Sequence, residues 1–369
     1  MNRNHVKLTP LVESLPATIP FVGPEALERM RGNQPFDLRM GANESAFGVS
    51  PLAAEAMRKA IERSAWYGDP EGYELREAVA ALHGVSMDEV CLAGGIDELL
   101  GLTVRMFVEP GEPVVTSLGA YPTFNYHVEG YGAALHRVPY RDDHIDLQAL
   151  TETAHQLQAK LVFLANPDNP MGTWHDADAV QTFIQALPPC TTLILDEAYI
   201  EFAPSSTHIP IDPNQPQVIR MRTFSKAHGM AGMRIGYAIA HRDLIVGYNK
   251  IRNHFGLTRV SLAGALASLQ DTDFITHVAS QVDIGRREYY ALAEHLGLAS
   301  IPSATNFVAI DLGENGDRAR AALKALEGHG VFVRMPGVAP MDRCIRVTVG
   351  LPEERARFAE VFATVLKTL

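Results

Sequence analysis

The stretch Arg220–Ala240, RMRTFSKAHGMAGMRIGYAIA, sets two apolar runs on either side of a polar turn that carries one lysine. The runs QVIRMRTFS and RIGYAIA read as strands. Lys226 lies just after Thr223 and Ser225 and eight positions before Arg234. A solvated surface lysine needs no such setting. Outward from this segment the same texture repeats. EVCLAGG, EPVVTS, AALHRVPY, KLVFLANP and TTLILDEAY also read as strands, which brings the count to seven. IDELLGLTVRMFV, DADAVQTFIQAL and RDLIVGYNKIR read as the helices between them. Strands alternating with helices predict an α/β fold whose mostly parallel sheet is covered by helices on both faces.

Other segments divide the chain. Residues 1–42, rich in Pro and Gly, read as an extended N-terminal arm. SPLAAEAMRKAIERSA starts a helix with Ser50 as N-cap and Pro51 at the first position, and YELREAVAALHG is a second helix closed by Gly84. Residues 43–260 then form a large domain. Beyond about residue 260 the pattern changes to a long helix over Thr272–Leu296, the strands TNFVAIDL, GVFVRMP and CIRVTVG, and the final helix PEERARFAEVFATVLKTL. Residues 261–369 are therefore expected to form a smaller C-terminal α+β domain.

The totals agree with two domains. At 369 residues the chain exceeds one compact core at about 150 residues per domain. Hydrophobic residues make up 47% and charged residues 20%, the balance of a soluble globular protein. A net charge of −11 with no basic run argues against a nucleic-acid partner. Cys91, Cys190 and Cys344 show no metal or redox spacing and read as buried thiols of a reducing compartment. No metal site is expected. The first twenty residues lack the apolar core of a signal peptide, and no 18-residue apolar run follows, so a cytoplasmic location is expected and no membrane contact. The sequon Asn43-Glu44-Ser45 then carries no meaning.

In open α/β sheets ligands gather beyond the carboxyl ends of the strands, and the polar residues cluster there. One strand ends at Asn166 and Asn169, one at Asp196, Glu197 and Tyr199, one at Thr223, Ser225 and Lys226; another passes through Gly94-Gly95 into a helix. Each alone is an ordinary turn or helix start. Together they suggest a site. The helix N-terminus at Gly95-Ile96-Asp97, with Thr223, Ser225 and the Arg234 guanidinium, would hold a phosphate. It is neither a Walker loop nor a dinucleotide fingerprint. A lysine beside a phosphate site suggests a Schiff base with a phosphorylated aldehyde. An aspartate at a strand end would then keep a pyridine nitrogen protonated. At about 4 Å and an effective dielectric near 20 such a pair is worth about 4 kcal/mol, or roughly three pKa units. The cofactor implied is pyridoxal 5'-phosphate.

With NPDNPMGT, LDEAYIEF, RTFSKAHGMAGMRIGY and IRVTVG in this order, the chain resembles the fold-type I pyridoxal-phosphate aminotransferases, most closely the histidinol-phosphate aminotransferase group. The resemblance runs from about Asn43 to Gly350. It implies that Lys226 is the Schiff-base lysine and proton shuttle, and that Asp196 pairs with the pyridinium; Tyr199 completes the catalytic set. Asn169 and Tyr199 would hold the cofactor's phenolic oxygen, Tyr121 would stack on its ring, and Gly95, Ile96, Thr223, Ser225 and Arg234 would cradle its phosphate. Tyr67, in WYGDPEGYELREAVA, would reach the cofactor of a second subunit, which implies a homodimer with shared sites. Arg346 would clamp a substrate carboxylate, with Asn43, Asn306 and Arg334 nearby.

Two departures from the group's pattern bear on the substrate. The arm reads IPFVGPEALER, with Phe21 near the place of a tyrosine that meets the substrate phosphate, and NESAFGVSP replaces the usual NENPLGPSP. His228 stands where an aromatic ring is usual and reads as one ring replacing another. The expected activity is ping-pong transamination from histidinol phosphate, in histidine biosynthesis, to 2-oxoglutarate. An aromatic or broad-specificity amino-acid aminotransferase, and a threonine-phosphate decarboxylase-like enzyme, remain alternatives. A regulator built on the same domain would need an added DNA-binding segment, for which the length and the acidic charge leave no room.

Overall fold

The computed structural model describes residues 6–17, 22–313 and 315–369. Among these the largest sheet has seven strands, numbered in chain order: β1 Val90–Ala93, β2 Pro113–Ser117, β3 Ala134–Val138, β4 Leu161–Ala165, β5 Thr192–Asp196, β6 Val218–Thr223 and β7 Gly236–Ile239. Their order across the sheet is β1-β7-β6-β5-β4-β2-β3. From β6 to β3 all neighbours are parallel, while β7 runs antiparallel to both β1 and β6. All seven lie in the segments expected to be strands.

Strand periodicity explains how the sheet is buried. Along β4, Leu161, Phe163 and Ala165 face one core with Leu99, Leu100 and Phe124. Val162 and Leu164 face the other, with Leu150, Phe183 and Ile184. A strand covered on both sides is apolar at every position, which is why LVFLA and TLIL carry no polar alternation. In β5, Ile194 belongs to the first face and Leu193 and Leu195 to the second. Asp196 therefore continues the face that looks toward the helix Ile96–Phe107.

The helix starts follow local chemistry. Ser50 Oγ accepts from the Ala53 N–H and Pro51 opens the helix Pro51–Ile61. The helix Tyr73–His83 ends on Gly84 at φ +66°. Two short helices, Pro10–Ser14 and Pro24–Met30, interrupt the arm that was expected to be extended. Its end, Leu38–Arg39, pairs in parallel with Val331–Phe332. Leu38 and Met40 thereby enter the core beneath the helices Thr272–His295 and Pro352–Leu366 and the antiparallel sheet of Ala299–Ile301, Phe307–Asp311 and Cys344–Thr348. The pattern reading missed the helices Pro122–Gly130, Leu147–Leu157, Arg259–Gln270 and Gly316–Gly328. Cys91 and Cys344 are buried, but Cys190 is exposed, because it sits in the turn before β5 and not in a strand. No helix among the described residues is long and apolar enough to cross a membrane.

The quoted segment meets the N-terminal part of the chain at one glycine. Gly229 has φ +68°, and a Cβ added there would lie 1.8 Å from the Gly48 carbonyl oxygen. Both the conformation and the contact demand glycine. Gly229→Ala is expected to cost at least about 2 kcal/mol, because backbone on one side must move. Denaturant unfolding would measure it, and an unchanged midpoint would contradict this packing.

Candidate active site

A cavity of about 770 Å³ opens beyond the carboxyl ends of β4, β5 and β6. Parallel strands deliver their ends to one edge of the sheet, so residues far apart in sequence meet there. Of the residues singled out from sequence, Asn43, Ile96, Tyr121, Asn169, Asp196, Tyr199, Thr223, Ser225, Lys226, Arg234, Arg334 and Arg346 all line it.

One end of the cavity is a ring of donors. The helix Ile96–Phe107 begins at Gly95, φ +89°, where an added Cβ would fall 2.6 Å from Arg234 Nη2. That glycine lets the guanidinium lie against the helix start. Arg234 Nη1 donates to Ser225 Oγ at 3.3 Å and to the Ala231 carbonyl at 2.9 Å, and Nη2 pairs with Asp97 at 3.2 Å. Thr223 Oγ1 donates to Ser225 Oγ at 2.9 Å.

The floor holds Lys226 and Asp196. Lys226 Nζ donates to the Asn43 carbonyl at 3.1 Å and lies 5.5 Å from the Tyr199 ring centre. Asn43 is held in turn at φ +55°. Its Nδ2 donates to Tyr199 Oη at 2.9 Å, its Oδ1 accepts from Thr348 Oγ1 at 3.2 Å, and its carbonyl also accepts from Asn306 Nδ2 at 3.1 Å. Asp196 is buried and accepts from the Ala198 N–H at 3.0 Å. Burial pushes its carboxyl up to about 7; the Ala198 N–H opposes this, the charges of Asp97 and Glu197 add to it, and Lys226 opposes it more weakly. The adjacent Glu197 behaves oppositely. Burial alone would raise it, yet Arg222 and Arg220 hold it at about 2, at 3.0 and 2.5 Å.

The far wall carries two arginines. Arg346, on Cys344–Thr348, donates through Nη1 to Asn169 Oδ1. Arg334 lies beside it, exchanging backbone hydrogen bonds with Arg346, and its Nη2 donates to the Val22 carbonyl at 2.8 Å. Neither Nε has a hydrogen-bond partner among the described residues, although both are shut away from solvent. Burial lowers Arg346 to about 10; Tyr199 opposes that shift and Arg334 adds to it, and the group stays charged at neutral pH.

Tyr67 and His228 lie away from the cavity, and Phe21 cannot be placed against it. Phe21 falls outside the described residues. Tyr67 does not line the cavity; its side chain is 79% exposed and packs on the Phe255 ring at 4.9 Å. His228 is buried against Phe224 at 4.8 Å, with Nδ1 2.8 Å from Ser268 Oγ, away from the cavity lining. Asn125, Arg137 and the Asp97 side chain line the cavity and were not singled out. Asp97 was legible, since it occupies the first turn of the helix whose backbone had been noted. Asn125 and Arg137 sit on a missed helix and on an edge strand, with no sequence signal.

Residues 37–362 match the model of the family Aminotransferase class I and II. The chain belongs to that family. A histidinol-phosphate aminotransferase from Sinorhizobium meliloti, solved in complex with pyridoxal-5'-phosphate, shares 47% identity at a TM-score of 0.95, covering 99% of this chain and 98% of that one. Histidinol-phosphate aminotransferase 2 of Carboxydothermus hydrogenoformans is 32% identical over 362 residues, 97% of this chain and 99% of its own. Histidinol-phosphate aminotransferase 1 of Nitrosococcus oceani is 34% identical over 346 residues, 93% and 92% of the two chains. The expected fold and class thus hold: this is a fold-type I, pyridoxal-phosphate-dependent aminotransferase similar to the histidinol-phosphate group.

Asp196 makes the cofactor-free protein sensitive to pH. Its folded-state value, about 7, lies above that of an unfolded aspartate, so its contribution is complete below about pH 4 and is lost as pH rises through 7. Three units correspond to at most about 4 kcal/mol. Cofactor-free Asp196→Asn is therefore expected to lose less thermal stability between pH 5 and 8 than the parent. Parallel melting curves for the two proteins would exclude the effect.

Proposed function

We propose that the enzyme moves an amino group from histidinol phosphate to 2-oxoglutarate, in histidine biosynthesis. The observation that carries this reading is the pair Arg334 and Arg346. Two adjacent cationic groups, each with an Nε that has no partner among the described residues, belong to side chains lining the same cavity as Lys226 and Asp196. Such a wall suits an anionic group, first the doubly charged phosphate of the donor and then a carboxylate of the acceptor. The histidinol-phosphate aminotransferases that match the chain along nearly its whole length support the same donor.

The residues present fit pyridoxal phosphate. A carboxyl pushed up to about 7 by burial suits a protonated ring nitrogen. A helix N-terminus with Thr223, Ser225 and Arg234 suits a phosphate. Bound pyridoxal phosphate supplies an electron sink for the electrons left when a proton leaves the carbon bearing the amine. Lys226, held by the Asn43 carbonyl, is the base that takes this proton and returns it on the other side of the nitrogen. Asp196 would hold the proton on the ring nitrogen, Asn169 and Tyr199 would offer hydrogen bonds to the ring oxygen, and Tyr121 would cover the ring. The acceptor then meets the same residues in reverse order, which makes the cycle ping-pong. Tyr67, exposed on this chain, contributes to the phosphate site of a second copy in a homodimer.

Two measurements test this. Lys226→Ala is expected to keep the fold and lower kcat by at least about a thousandfold, in steady-state assays. In a half-reaction followed by the absorbance of the bound cofactor, histidinol phosphate is expected to convert the enzyme fully and L-phenylalanine slowly. Conversion by phenylalanine with histidinol phosphate inert would replace the donor and leave the family unchanged.

A further inference from the structure

The wall that carries Arg346 and the loop that carries Asn169 belong to different sheets, yet the two side chains must meet. A third element joins them. Tyr140–Arg141 and His144–Ile145 form a two-stranded hairpin whose turn residues, Asp142 and Asp143, both have positive φ, 49° and 63°. Aspartate tolerates that conformation better than most residues, and the turn matches the twist of a two-residue hairpin.

Asp143 faces both ways. Its carbonyl accepts from Thr173 Oγ1 at 3.0 Å, at the end of the loop Asn166–Thr173 that presents Asn169. Its carboxylate pairs with Arg343 Nη2 at 2.7 Å, three residues before Arg346 and just ahead of the same strand. Arg343 Nε is held at 2.7 Å by Asp311 of the neighbouring strand. Both members of the Asp143–Arg343 pair are largely buried, at 20% and 18% exposure, so the pair is more than a solvated surface contact. The same hairpin anchors the loop again through Tyr140 Oη, which donates to Asp168 at 2.8 Å beside Asn169. The contacts close a ring: Asn169 loop, Thr173, Asp143, Arg343, strand, Arg346 and back to Asn169 Oδ1.

We infer that the hairpin Tyr140–Ile145 is a bracket and Asp143 a positioning residue, which sets Arg346 against Asn169 and so sets the strength with which the site binds a dicarboxylate. The inference rests on the reading of Arg346 as the clamp for a substrate anion. Asp143 touches no substrate. It acts by fixing the strand that carries the clamp, and displacement of such a group by about 1 Å is enough to weaken binding many-fold.

The test uses the holoenzyme and succinate, a dicarboxylate with no keto group, with binding measured by calorimetry beside KM and kcat for 2-oxoglutarate. Asp143→Asn keeps the tolerance for positive φ and removes the charge. It is expected to weaken succinate binding and raise KM about tenfold with kcat changed less than about twofold. Thr173→Val, which cuts the other end of the bracket, is expected to act in the same direction, and Asp143→Glu to recover part of the loss. Asp311→Asn removes an equally short pair from Arg343 without crossing between sheets. It is expected to lower the melting temperature and leave succinate binding within about twofold. Normal succinate binding in Asp143→Asn, or a loss in Asp311→Asn as large as in Asp143→Asn, overturns the bracket. Arg346→Lys separates the two readings: it is expected to weaken succinate binding about a hundredfold. Unchanged binding there removes the clamp itself, whereas a weak Arg346→Lys beside a normal Asp143→Asn removes only the bracket.

Discussion

The site depends on a single alternation at the end of β5. Asp196 and Glu197 are consecutive and both buried, but they point to opposite faces of the sheet. On one face Glu197 lies between Arg220 and Arg222, which are two residues apart on β6 and so share that face. Arg220 also donates to the carbonyls of Ile209 and Pro210, both at 3.0 Å, so the cluster is saturated with partners. Removing one member of such a buried set typically costs about 3–5 kcal/mol, since the others are left charged and unpaired. The cluster fixes the register of β5 against β6 where Asp196 and Lys226 leave the sheet.

On the other face Asp196 has no such compensation. The same dipeptide therefore holds one carboxyl near 2 and its neighbour near 7. The neighbouring Glu197 charge adds to the rise of Asp196. A carboxylate this poorly served is unfavourable in the empty protein and favourable once a cation stands against it. The empty protein carries a stability cost at this position that a bound cation would offset. Asn43 acts similarly. A residue held at positive φ gives its carbonyl to Lys226 and Asn306 and its side chain to Tyr199 and Thr348, so five residues from distant segments share one pivot.

Most of the sheet and the floor of the cavity was legible because it is local. Strand ends, turn glycines and the residues just after them lie within one short stretch each. The antiparallel course of β7 was legible too, though unread: only Phe224–Ile235 separates it from β6, and this segment holds no helix long enough for a parallel crossover. The helix Arg259–Gln270 was missed for a physical reason. RVSLAGALASLQ is small and apolar on most sides, because it packs tightly on Pro51–Ile61 with Gly264 against Met57, and it shows no polar face. Its cap was visible, for Thr258 Oγ1 accepts from the Ser261 N–H. The pairing of Asp143 with Arg343 spans 200 positions and leaves no trace in local pattern. Contacts of that kind belong to topology.

The paired arginines give the empty site its second unsatisfied demand. Arg334 and Arg346 lie on adjacent extended segments, bridged through their backbones, so neither can withdraw from the other. Burial disfavours both charges, Arg334 adds to that effect at Arg346, and among the described residues one side-chain donor on each is bonded, to Asn169 and to the Val22 carbonyl. An anion meeting both would offset two charges that burial disfavours, which makes its binding stronger than two separate surface contacts. One cavity is therefore lined both by a carboxyl whose charge burial disfavours, Asp196, and by an arginine wall whose charges burial disfavours. An anion satisfies the arginine wall, whereas a neutral ligand leaves both guanidinium charges uncompensated.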